Sequence, residues 1–167
     1  MLSELLEQLY YVGEFFSALA VVVSLIYVGK QLKQNTKAVR SSTLQNITEA
    51  QLNIHALVAE NGELAQILFN GAANIAPVEG VEKFRYYSWM TLAFRSLENA
   101  YYQHLEGALD DRNWQALCRQ YGPMLHHGLN RIYWDERNFM YGDDFRNFVN
   151  DKLLATPVQK GWKVPGS

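Results

Sequence analysis

The sequence predicts an all-α protein: one N-terminal transmembrane helix that continues into a cytoplasmic bundle of about five helices. Three observations lead there. From Leu9 to Gly29 the chain carries a single charge, Glu14, and from Phe15 to Gly29 it carries none. At about 1.5 Å per residue, a helix over that run spans roughly 30 Å, the hydrocarbon thickness of a bilayer. No proline occurs before Pro77. The stretch from Val81 to Leu109 repeats its apolar residues with the 3.6-residue period of a helix, and no stretch sustains strand alternation.

Composition sets the outer limits. The chain has 167 residues, 49% hydrophobic and 19% charged, which suits one folded domain plus an anchor and is too apolar for a disordered chain. The net charge of −2 gives no global basic excess that would argue for nucleic acid. One cysteine, Cys118, excludes an internal disulfide and fits a reducing compartment.

The elements follow in order. Leu2, Leu5, Leu6 and Leu9 make a short amphipathic lead-in, with Gly13 the one mild break before the span. A signal peptide would need a basic start and a small-residue cleavage site. Glu4 and Glu7 precede the run, and Lys30 follows it directly. Tyr10, Tyr11 and Tyr27 stand near the ends of the run, as interfacial aromatics do. No Lys or Arg precedes it, whereas Lys30, Lys33, Lys37 and Arg40 follow. This asymmetry places the N-terminus outside and the rest in the cytoplasm, where the four cations can also lie near anionic head groups. The expected division is 1–29 tail and anchor, 30–155 cytoplasmic domain and 156–167 irregular tail.

Leu44, Ile47, Ala50, Ile54 and Leu57 carry the first helix on to Ala59, where Asn61-Gly62 punctuates the chain. A short helix is expected over Glu63–Phe69, stopped by Asn70-Gly71, then a loop to Gly80. The periodic helix from Val81 to Leu109 is expected to be central, with Val81, Phe84, Tyr87 or Ser88, Thr91, Phe94, Leu97, Tyr101, Leu105 and Ala108 on its apolar face and Tyr86, Trp89, Met90 and Ala93 widening it. Asp110 or Asp111 can cap the next helix, which Gly122-Pro123 should end, with Pro123 opening another. Asp143 should cap the last helix, which carries Phe145, Phe148, Val149 and Leu153.

Candidate site residues are few. Glu98 sits mid-helix beside the apolar stripe with Arg95 three residues before it, so it reads as a packing ion pair or a functional carboxylate. A site of Glu98, His104 and nearby tyrosines is the enzymatic alternative. His126-His127 point about 100° apart on a helix and make a poor two-ligand metal set. Glu-x-x-His, needed for a di-iron bundle, does not occur, and no phosphate loop, Ser elbow or HExxH is present. Cys118 reads as a buried structural thiol. No metal or other cofactor is expected. Along the span, Gly13, Ser17, Ala20, Ser24, Gln31 and Asn35 fall on one face, where small residues let helices approach closely.

The segments SLIYVGKQLKQNTKAVRSSTLQ, ENGELAQILFNG and FRSLENAYYQHLEGALDDRNW, taken together, resemble a widespread group of small bacterial membrane-anchored helical proteins of unknown function. The likeness covers most of the chain, and Gln31, Gln34, Asn35 and Thr36 are its most specific part. It implies an anchored helical protein of a bacterial inner membrane and carries no activity across. The expected function is a non-enzymatic scaffold or accessory subunit, self-associating or docking on a larger membrane complex. The alternative is a sensor or regulator that binds an apolar or lipid-like ligand between its helices. Expected partners are membrane lipids and a second copy or membrane-complex subunit, not nucleic acid.

Overall fold

The computed structural model describes residues 1–156, and among them it is helical, with no strand. The first helix, α1 (Leu2–Ala59), is followed by α2 (Gly62–Ala73), α3 (Gly80–Leu105), α4 (Asp111–Met124) and α5 (Gly128–Arg137). A 3-10 turn (Asn138–Met140) leads to α6 (Asp143–Phe148), which ends in a π-helical turn (Val149–Leu153). The chain forms two compact units that meet between Ser41 and Ser42, twelve residues past Gly29. The position follows from burial: every described side chain up to Ser41 is exposed, and Ile47 is the first to be buried.

The first unit is the N-terminal part of α1. It is long and apolar enough to cross a membrane by length and composition, and none of its most apolar stretch is buried. The expected break at Gly13 is absent. A Cβ at Gly13 or Gly29 would meet nothing within 4 Å, so neither glycine marks a close contact. A lone helical glycine costs only about 1 kcal/mol, too little to stop a helix between strong formers.

The second unit begins with the last turns of α1. Ile47 and Ile54 are buried there. Between them the Gln51 amide donates to Ser96 Oγ at 2.9 Å, and its carbonyl accepts from the Tyr121 hydroxyl at 2.9 Å. The Asn61 side chain accepts from Leu64 N and caps α2. This helix runs past the expected stop at Asn70-Gly71. Gly71 is there for packing, since a Cβ would collide with the edge of the Tyr86 ring. The stop is Asn74, in the left-handed conformation at φ 53°, which asparagine tolerates better than most residues.

α3 is central, as its periodicity predicts. It buries Tyr86, Tyr87, Met90, Ala93, Phe94, Leu97 and Ala100. Tyr86, Met90 and Ala93, expected to widen the face, are buried, whereas Val81 and Phe84, also expected on it, are 76% and 73% exposed. The helix stops at Leu105, short of Leu109, because the chain turns through Gly107 at φ +74°, a conformation that favours glycine. Asp110 caps α4 by accepting from Asn113 N at 2.9 Å. These bonds to the ionised carboxylate, the backbone N–H of Asn113 foremost, hold its pKa below the ordinary value.

Pro123 does not open a new helix. It lies in the last turn of α4, which closes by Leu125 N donating to Gly122 O and His126 N to Pro123 O. The proline ring removes only the bond that an N–H at position 123 would make to the carbonyl four residues back. Asp143 is likewise not a cap. Gly142 takes that place without a side-chain bond, and Asp143 accepts from Arg146 at 2.6 Å instead. Phe145, Val149 and Leu153 of the closing segment are buried, as expected. The expected irregular tail lies, beyond Thr156, outside the described residues.

Trp134, Tyr86, Tyr133, Phe94, Phe145, Met90 and Leu97 are the largest fully buried side chains. Phe94 sits at the centre of an aromatic cluster, with ring centroids of Trp134 at 5.2 Å and of Tyr121 and Tyr133 at 6.0 Å.

Candidate functional site

Glu98 is the one buried carboxylate among the described residues, 8% exposed on the inner edge of α3. Both its oxygens are engaged. Oε2 accepts from Arg95 Nη1 at 2.6 Å, and Oε1 accepts from the backbone N–H of Gly142 at 2.7 Å. Arg95 reaches the same connection, donating from Nη2 to Met140 O at 2.7 Å, with its guanidinium 4.8 Å from the centre of the Tyr141 ring. Glu98 and Arg95 therefore clasp the segment between α5 and α6 onto α3. At Gly142 a Cβ would collide with the Tyr102 hydroxyl, so the close approach depends on glycine there.

His104 is held by other groups. Its Nδ1 lies 3.2 Å from Leu109 O, its Nε2 lies 3.7 Å from Asp111 Oδ1, and its ring stacks on Trp114. It shares none of these partners with Glu98. The two residues anchor two different turns, Glu98 the one before α6 and His104 the one before α4.

Cys118 is half-buried on α4, and loss of water around it pushes its pKa up to about 11. The neutral thiol is a weak nucleophile near neutral pH. It lines a hollow with Gln115, Arg119, Gly122, Pro123, Leu153 and Thr156. That hollow holds about 150 Å³, below the roughly 300–1,000 Å³ of ligand pockets. His126 buries its Nε2 atom, and among the described residues no hydrogen bond reaches it. Among the described residues no three or more His, Cys, Asp or Glu side chains group so as to hold a metal ion.

A buried polar network runs through the core, and most of it is invisible in the sequence. The Tyr86 hydroxyl donates to Asn130 Oδ1, and Asn130 Nδ2 donates to Met124 O at 3.0 Å. Tyr87 donates to Glu136 at 2.7 Å. The Tyr133 hydroxyl lies 2.6 Å from that of Tyr141 and 2.9 Å from Thr91 Oγ1. Burial raises the pKa of Tyr86, Tyr87, Tyr121 and Tyr141 above the ordinary tyrosine value. These phenols stay protonated and act as hydrogen-bonding cross-ties. The tyrosines stand out in the sequence as core residues by composition alone; Asn130 carries no such signal, because a helical asparagine usually faces water.

On α1 the expected contact face is exposed. The Ser17 hydroxyl donates to Gly13 O and that of Ser24 to Ala20 O, each at 2.8 Å. Gln31 Nε2 donates to the Tyr27 hydroxyl at 3.0 Å. The serines thus spend their donors on their own helix, and the face between them is small and smooth. No protein-family model, curated protein or solved structure matches the chain.

Proposed function

We propose that this chain is a membrane-anchored, non-enzymatic scaffold or accessory subunit that self-associates or docks on a larger membrane complex. The observation that carries the reading is the run from Phe15 to Gly29, uncharged and exposed along its described side chains. Exposed leucine, valine and phenylalanine on that scale are unfavourable in water at about 25 cal/mol per Å². Lipid removes that cost. The span crosses once, with the N-terminus outside and the helical domain in the cytoplasm. The membrane we propose is a bacterial inner membrane, on the resemblance of its segments to membrane-anchored bacterial proteins. A scaffold rather than an enzyme is supported by how the chemically capable groups are used: Glu98, His104 and the core tyrosines are each committed to holding helices or turns in place.

Self-association runs along Gly13, Ser17, Ala20 and Ser24, with Gln31 and Asn35 extending the face. Inside a bilayer, apolar burial gives little drive, so close backbone packing must supply it. The serine hydroxyls are tied to their own carbonyls, which makes added bulk more harmful than loss of a hydroxyl. Ala20→Ile should therefore disrupt the oligomer, while Val22→Ile, on another side of the helix, should leave it intact. Cross-linking and mass measurement of both variants in mild detergent test this. Equal assembly of both, or a monomeric wild type in membranes, overturns self-association by this face.

A further inference from the structure

We propose that the basic face of α1 just beyond its apolar run is a binding site for the phosphate headgroup of an anionic phospholipid. The inference rests on the membrane reading of that run. Lys30 follows Gly29 directly, and Lys33, Lys37 and Arg40 come after it at steps of three, four and three residues. At 3.6 residues per turn these steps keep all four cations within about 80° of the helix circumference. Their exposed side chains, with those of Gln34 and Thr36, ring one shallow hollow. The Thr36 hydroxyl is spent on Leu32 O at 2.9 Å, which leaves the lysines to recognise the ligand. No Asp or Glu occurs between Glu14 and Glu49, so no acid in that stretch offsets the charge.

A topology signal does not account for this arrangement. The positive-inside rule counts Lys and Arg near the end of a span without regard to face. General attraction to an anionic bilayer does not account for it either, because lipid surrounds a lone helix on every side. Convergence on one hollow is what lets two or three ammonium groups share one phosphate. Residues three and four apart stand about 5–6 Å from each other at Cβ, close enough for lysine stems to meet at a single headgroup. Each lysine brings a compact charge with three rotatable donors. Helical side chains also lean toward the N-terminus, here back toward the apolar run. The headgroup layer reaches roughly 5–7 Å past the hydrocarbon, the level at which Lys30 and Lys33 emerge. A headgroup phosphate, rather than a free one, fits that depth.

The test exchanges neighbours in the full chain: Leu32→Lys with Lys33→Leu, and Lys37→Ala with Ala38→Lys. Composition and the count of cations stay the same, and the face of Gly13, Ser17, Ala20, Ser24, Gln31 and Asn35 is untouched. The cations now point to all sides. Wild type and variant are reconstituted into phosphatidylcholine vesicles with a minor share of phosphatidylglycerol and extracted in mild detergent, and the retained lipid is identified by native mass spectrometry. Wild type should retain phosphatidylglycerol about fivefold more than the variant does, the factor expected when one further cation converges on the same headgroup. Equal enrichment in both, or none in wild type, overturns the site. Displacement of the lipid by inorganic phosphate as effectively as by phosphatidylglycerol overturns the lipid assignment. Carbonate-resistant flotation with the vesicles separates the two levels: a chain that floats without enrichment loses only this site, and a chain that does not float loses the membrane reading and the site with it.

Discussion

Replacing Glu98 by glutamine is the sharpest probe of the helical domain. The side chain is nearly fully buried, and its two oxygens serve two donors, the Arg95 guanidinium and the Gly142 amide. Glutamine has the same shape but one carbonyl oxygen and one NH₂ group. Whichever way it turns, the NH₂ faces a donor. One charge-assisted bond is lost and a second is weakened by loss of the negative charge. A hydrogen bond to a charged group is worth about 1.5–3 kcal/mol, and stranding a buried donor costs a similar amount. Arg95 keeps its bond to Met140 O, and about half its side chain is in contact with water, which softens the loss on that side. The expected destabilisation is about 1–3 kcal/mol. Urea unfolding of the full chain in mild detergent, followed by tryptophan fluorescence, measures it, and hydrogen exchange should show the Gly142 amide losing protection. A change below about 0.5 kcal/mol, the size of an ordinary surface substitution, with Gly142 still protected, would refute the clasp. Lost cellular activity with unchanged stability would point to a functional carboxylate instead.

Gly71→Ala should destabilise by about 1–3 kcal/mol, an overpacking cost, because the Tyr86 ring it would strike is buried and tied to Asn130; thermal unfolding checks it, and an unchanged midpoint contradicts the packing. Gly128→Ala should cost more, since it meets the backbone carbonyls of Gly71 and Ala72 and sits at φ +44°; the same scan ranks the two. Raised phenol and thiol pKa values mean that the unfolded chain releases protons first. This part of the stability should be fully present below pH 9.0, the ordinary thiol value, and should fall as pH climbs through 10.0, the ordinary phenol value, and beyond; unfolding midpoints across alkaline pH, with tyrosinate absorbance alongside, test the sign. A cytoplasm-only reporter fused after Ser167 should be active; activity from a periplasm-only reporter there would reverse the orientation.

Residues acting on near neighbours were readable from the sequence. The charge-free run, the end of α1 at Ala59, a cap at Asp110 or Asp111 and the centrality of α3 all follow from spacing within one or two helical turns, where side chain and backbone interact before anything else is folded. The all-α class follows from the same source. Tertiary structure decided what depends on residues far apart in the chain. Gly71 looked like a stop and is the floor for Tyr86. Pro123 reads as a start and lies in the last turn of α4, while the next helix opens at Gly128, where a Cβ would strike the carbonyls of Gly71 and Ala72. On α3 the periodicity offers both Val81 and Phe84 and the neighbouring Tyr86 and Met90, and packing buries only the second pair. Glu98 was visible as a carboxylate out of place, but its second partner, Gly142, lies 44 residues on. No local pattern encodes such a bond. It exists only once the helices have packed and excluded water, which makes an unpaired carboxylate there too costly to keep.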